Sequence, residues 1–120
     1  MDIKQFIVDY YHALLTPEKI KDYLHPQALV QWHSPRGYLE LDYKELIRFS
    51  EFTSKQYSTL RLKVTHVIAE GENKVSARYI NYITTPDNPL EEKELSLSMS
   101  IWELLDGKLY RGYVMTHQLS

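Results

Sequence analysis

The residues able to do chemistry in this chain are histidines, arginines and hydroxyl-bearing aromatics. There are five histidines, ten tyrosines, two tryptophans and no cysteine. Without cysteine there is no thiolate nucleophile, no disulfide framework and no Cys-based zinc site. The histidines show no HExxH or comparable ligand spacing, so neither a metal nor another cofactor is expected. His66 falls in step with Leu60, Leu62 and Val64. It reads either as a core or strand-end histidine or as a pocket residue that could meet His117. His33 alternates with Trp32 and reads as surface or interface, while His12 and His25 read as a helix-surface and a helix-end residue. Arg78 and Arg111 lie inside strand-like segments, where a charge needs solvent or a partner. Arg111 shares parity with Tyr113 and His117, so it could reach an anionic ligand or close a rim salt bridge. Tyrosine joins a large apolar body to a polar tip, which suits pocket walls and interfaces as well as half-buried strands. Trp32, Tyr79 and Trp102 are core aromatics or the wall of a cavity for a flat, apolar ligand.

These groups sit in a chain of 120 residues, the length of one domain, expected to span 1–120. Hydrophobic residues make up 43% and charged residues 25%, which argues against a disordered chain. Fourteen basic and 16 acidic residues leave a net charge of −2, with no run of like charge, so a nucleic-acid partner is not expected. No apolar run approaches the ~20 residues that span a bilayer. Charges recur too early for a secretory signal, and a cytoplasmic location is expected.

The elements that must position the chemistry follow from periodicity. Ile3, Phe6, Ile7, Tyr10 and Leu14 recur at helical spacing and predict a helix over 3–15. Thr16-Pro17 restarts the chain as N-cap and first helical residue of a short helix over 17–24, which His25-Pro26 ends. Residues 28–33 read as a strand closed by Ser34-Pro35-Arg36-Gly37. Asp42, with Glu45 three residues on, is a capping-box signature for a third helix. From Ser58 the period becomes two, and Leu60, Leu62, Val64, His66 and Ile68 define one apolar face. Further strands are predicted over 74–84, 92–104 and 108–118, the last two joined by the hairpin signal Asp106-Gly107. Early helices and late antiparallel strands make an α+β chain, with the pocket at the mouth of a curved sheet.

Several segments, taken together, carry a resemblance. They are Tyr10-Tyr11-His12-Ala13-Leu14, His25-Pro26-Gln27-Ala28, Ser34-Pro35-Arg36-Gly37, the stretch from Val67-Ile68 through Ala77-Arg78, and Trp102-Glu103-Leu104-Leu105-Asp106-Gly107-Lys108-Leu109. In order and spacing the chain resembles the nuclear transport factor 2-like superfamily over essentially its whole length. The likeness is to the SnoaL-like and ketosteroid-isomerase-like branches. It implies a cone-shaped α+β barrel, with three N-terminal helices packed in a strongly curved, mostly antiparallel sheet. It also implies an interior pocket and a homodimer through the outer sheet face.

The resemblance assigns roles residue by residue. Tyr10 falls where ketosteroid isomerases place the tyrosine that donates to the enolate oxygen. Ser34 occupies the position of their basic aspartate and Ser100 that of their second acid, so isomerisation of that type is rejected. SnoaL-like cyclases carry an acid/base aspartate four residues after an aromatic on the final strand. Here Tyr113 matches the aromatic and His117 the aspartate, and a neutral histidine is a competent base.

Alternation predicts that Trp32, Ser34, Ser96, Ser98, Ser100, Trp102 and Leu104 face inward. Leu95, Leu97, Met99 and Ile101 would then form an outer apolar row that a second copy covers, whereas the inverse assignment would put this row in the core and the serines in solvent. The expected function is binding of a small apolar or aromatic carbonyl-type molecule. Proton transfer beside the carbonyl would be the chemistry, with His117 as base and Tyr10 as hydrogen-bond donor. Trp32, Ser34, His66, Ser100, Trp102, Arg111 and Tyr113 would bind the ligand. The alternative is a non-catalytic dimerisation or protein-interaction module on the same fold.

Overall fold

Helix α1, Ile3–Ala13, starts because the Asp2 carboxylate accepts from the backbone N–H groups of Lys4 and Gln5, at 3.1 and 3.2 Å. Those donors would otherwise lack partners in the first turn. Its buried face is Ile3, Ile7, Tyr10, Tyr11 and Ala13. Helix α2 is one turn, Pro17–Ile20, with Pro17 leading it; the Thr16 side chain makes no capping bond. The chain is already extended at Leu24, so His25-Pro26 lies within a strand instead of ending a helix. This computed structural model describes residues 1–119.

The strands are β1 (Leu24–Ser34), β2 (Gly37–Asp42), β3 (Arg61–Glu70), β4 (Lys74–Thr85), β5 (Asn88–Leu105) and β6 (Lys108–Gln118), with helix α3 (Tyr43–Gln56) between β2 and β3. They form one curved sheet in the order β2-β1-β6-β5-β4-β3. Every pair is antiparallel except β1 with β6. The sheet wraps the helices without closing, because β2 and β3 remain its edges. Strand β2 answers no sequence expectation: the turn at Ser34-Pro35-Arg36-Gly37 is the tip of a hairpin, with Ser34 opposite Gly37. The capping box of α3 is present in full. Glu45 N–H donates to the Asp42 carboxylate at 2.9 Å, and Asp42 N–H donates to the Glu45 carboxylate at 3.1 Å.

The closed end of the cone is the core. Ile7, Ile20, Trp102 and Leu109 are fully buried there with Tyr10, Tyr11, Leu24, Val75 and Ala77. Each aliphatic side chain of this kind stabilises the fold by about 1.5–3 kcal/mol through burial. Gly112 on β6 lies under the Trp102 indole so closely that a Cβ there would stand 2.7 Å from two ring carbons. The β5–β6 turn places Asp106 and Gly107 at φ of 53° and 73°, the double positive φ of a two-residue hairpin.

Three single-residue bulges interrupt the ladders. Thr65 on β3 has no opposite residue between the pairs Val64–Tyr79 and His66–Arg78. Leu95 on β5 is left over between Asn81–Ser96 and Tyr82–Glu94. Tyr110 on β6 is left over between Leu104–Leu109 and Glu103–Arg111. One extra residue exchanges the faces of everything beyond it, because side chains alternate with period two.

Candidate functional site

Between α3 and the concave face of the sheet lies a cavity of about 350 Å³. Helix α3 supplies Phe49, Ser50, Phe52 and Thr53, and the end of the α1 segment supplies Leu14 and Leu15. Strand β1 and its turn contribute Trp32, Ser34, Pro35 and Arg36, and β2 contributes Leu39. The sheet floor is polar and ordered in rows. Tyr79, Ser98 and Thr116 are lateral neighbours on β4, β5 and β6. Asn81, Ser96 and Gln118 form the next row toward the mouth.

The first row is one hydrogen-bonded chain. Trp32 Nε1–H donates to Thr116 Oγ1 at 2.9 Å, and the Thr116 and Ser98 hydroxyls share a bond of 2.8 Å. The Tyr79 hydroxyl meets Ser98 and Tyr11. In the second row Asn81 Nδ2–H donates to Ser96 Oγ at 2.8 Å. Behind these rows, Tyr11 O–H donates to Ser100 Oγ at 2.6 Å and accepts from Trp102 Nε1–H at 3.0 Å. Burial, foremost, pushes the hydroxyls of Tyr10, Tyr11 and Tyr79 above the usual tyrosine range. They are therefore neutral at all ordinary pH. Phe49 meets the Trp32 ring edge-on at 5.1 Å and builds the apolar wall opposite the rows. Among the described residues, no Asp, Glu, His or Lys lines the cavity, and Arg36 is its one charged side chain.

The residues expected at a site separate into four places. Trp32 and Ser34 line the cavity as expected. Ser34 chiefly shapes the turn: its hydroxyl accepts from Arg36 N–H at 3.2 Å and donates to the Gly37 carbonyl at 2.7 Å. Tyr10, Ser100 and Trp102 face inward but lie in the core behind the cavity, 2%, 1% and 1% exposed. The hydroxyl chemistry on α1 belongs to Tyr11, the neighbour of the expected Tyr10, which instead packs edge-on against Tyr11, Tyr23 and Trp102.

Arg111, Tyr113 and His117 lie across the sheet from the cavity. The bulge at Tyr110 turns Gly112, Val114 and Thr116 inward, and so turns the odd-numbered residues outward. His117 is exposed, opposite Leu97. Tyr113 O–H donates to the Glu103 carboxylate at 2.9 Å, which, with some desolvation, raises the phenol out of its usual range. The Arg111 guanidinium stacks at 3.8 Å on the Tyr110 ring and donates to the Gln27 carbonyl. His66 is turned outward by the bulge at Thr65, whose hydroxyl it meets at 3.0 Å. His66 and His117 therefore do not meet in a pocket.

The outer apolar row holds at Leu97, Met99 and Ile101, with Met99 57% and Ile101 56% exposed, and Met115 beside Met99 is 66% exposed. Leu95 leaves that row, since its bulge places it at the cavity. Among the lining residues that sequence reasoning missed are Arg36, Leu39, Phe49, Asn81 and Thr116. Phe49 was legible from its place on the apolar side of α3.

No protein-family model matches the sequence, and no curated protein matches it. Solved structures do match in shape. IdmH from Streptomyces antibioticus, a candidate polyketide cyclase, superposes with a TM-score of 0.77 at 15% identity, over 97% of this chain and 92% of its own. AclR from Streptomyces galilaeus, a candidate hydroxylase, gives 0.72 at 15% identity, over 96% and 78%. Bal32a, from a soil-derived mobile gene cassette, gives 0.70 at 14% identity, over 94% and 87%. The likeness is one of fold: the chain shares the curved-sheet α+β architecture of these structures, the nuclear transport factor 2-like fold.

Proposed function

We propose that this protein binds a small, flat, largely apolar molecule bearing a carbonyl or hydroxyl group, in the cavity between α3 and the concave sheet face. The observation that carries this reading is the character of the lining. Aromatic and aliphatic walls face rows of neutral hydroxyl and amide groups, a combination that orients an apolar ligand through a few polar contacts. The IdmH and AclR structures support it, as proteins of the same fold described as a candidate polyketide cyclase and a candidate hydroxylase. The reading is of binding and not of proton abstraction. A base must stand within hydrogen-bond reach of the proton it takes. The lining has no carboxylate or imidazole among the described residues, and burial keeps its Tyr79 hydroxyl neutral.

Native mass spectrometry against a panel of aryl ketones and hydroxyarenes tests the proposal. A one-to-one complex is expected, and it should be lost in Ser96→Phe, which sets a ring into the cavity. The same complex in a folded Ser96→Phe protein overturns the reading. The exposed row of Met99, Ile101 and Met115 favours a second, compatible reading, a homodimer through the convex face.

A further inference from the structure

Arg36 stands apart from every other lining residue. It occupies the β1–β2 turn at the open end of the cavity, beside the exposed rim side chains Leu39 and Phe52. The turn is built to hold it. Ser34 Oγ takes the Arg36 backbone N–H and donates to the Gly37 carbonyl, and Gly37 completes the bend at a φ of 120° that favours glycine. Among the described residues no carboxylate pairs with the Arg36 guanidinium, and no acidic side chain shares the lining. The neutral rows do not balance its charge, because their donors and acceptors are largely spent on one another. A guanidinium offers a planar fork of donors that matches a carboxylate in two parallel bonds. At a partly apolar mouth such a pair is screened less than on an open surface.

From this we infer that the ligand is an anionic amphiphile, with its aromatic or aliphatic body against the wall that Trp32 and Phe49 build together and a carboxylate at the mouth on Arg36. The inference rests on the binding reading above and narrows its ligand class. The apolar body enters first and meets the hydroxyl rows. The acidic group stays near water, where its desolvation cost is small and Arg36 can reach it.

The test compares 2-naphthoate with 2-naphthamide, which share a ring system and differ in charge. Calorimetry gives their affinities, and the Trp32 indole N–H resonance reports occupancy of the cavity. The wild-type protein should bind naphthoate about tenfold or more tightly than the amide, the size of one charge-assisted contact. Arg36→Gln should reduce naphthoate to the level of the amide, and Arg36→Lys should keep part of the preference. Raised salt should narrow the gap. Equal affinity for the two probes, or a preference that survives Arg36→Gln, overturns the anionic assignment while the cavity reading stands. If neither probe gives heat or moves the Trp32 resonance, the cavity reading falls and this inference falls with it.

Discussion

Removing one oxygen from the core, by Tyr11→Phe, probes the polar assembly that backs the cavity floor. Among the described residues the Tyr11 hydroxyl is the one acceptor for Trp102 Nε1–H, and Trp102 is 1% exposed, so water cannot replace it. A buried donor left without a partner costs about 1–3 kcal/mol. Ser100 Oγ keeps its own 3.5 Å contact to the Ala77 carbonyl but loses the Tyr11 donor, a further loss of about 1 kcal/mol. The expected destabilisation is therefore about 2–4 kcal/mol, a large share of the ~5–15 kcal/mol that holds a domain folded. Ser100→Ala should cost less, because Tyr11 can still turn its proton to Tyr79. Urea unfolding at neutral pH, followed by tryptophan fluorescence, measures both. The double variant should show a coupling of at least about 0.5 kcal/mol, since the two groups share one bond. A Tyr11→Phe loss below about 0.5 kcal/mol, or strict additivity with Ser100→Ala, would refute the claim that this hydroxyl holds the assembly together.

Alkaline pH should unfold the protein cooperatively. Tyr10, Tyr11 and Tyr79 are raised in the folded state above their unfolded value near 10, so their contribution is intact below pH ~10 and is lost as pH rises beyond it. Three such groups give a slope of up to about 4 kcal/mol per pH unit, which tyrosinate absorbance and far-UV circular dichroism should report as one transition. Gly112→Ala should destabilise by about 1–3 kcal/mol in the same urea assay, because its Cβ would meet the immobile Trp102 ring at 2.7 Å. Ile101→Lys with Met115→Lys should convert a species of twice the 14.2 kDa chain mass into monomer by light scattering; a wild-type protein already monomeric at tens of micromolar would remove the dimer.

Much of the architecture was legible because local signals agreed with the global fold. The apolar face of α1, the Asp42–Glu45 capping box and the Asp106-Gly107 hairpin are short-range devices, and each appears where its residues demand it. On β1 and β5 alternation also placed Trp32, Ser34, Ser96, Ser98, Ser100 and Trp102 on the concave side. Strand β2 escaped notice because Gly37–Asp42 is short, exposed nearly throughout, and ends directly in the cap of α3. A strand that buries little leaves almost no hydrophobic pattern.

The residues that stand on the outer face instead of in the pocket share one kind of cause, a strand bulge. A two-residue turn sets Leu105 opposite Lys108. An uninterrupted ladder from there would pair Trp102 with Arg111, Ser100 with Tyr113 and Ser96 with His117, and would turn all three β6 residues into the pocket. Tyr110 breaks that count, and beyond it Trp102 faces Gly112, Ser100 faces Val114 and Ser98 faces Thr116. The bulge is held by Arg111, which stacks on the Tyr110 ring and donates to the Tyr110 and Gln27 carbonyls. Thr65 does the same on β3, where its hydroxyl takes the Arg78 guanidinium at 2.8 Å and His66 swings outward. Alternation cannot see a bulge, yet one residue announced it. A glycine in mid-strand marks a close approach, and only Gly112 turned inward leaves room for Trp102. The shift has a chemical consequence. It exchanges an inward row of arginine, tyrosine and histidine for one of glycine, valine and threonine, of which Thr116 lines the cavity. Among the described residues Arg36, on another strand's turn, is then the cavity's one formal charge.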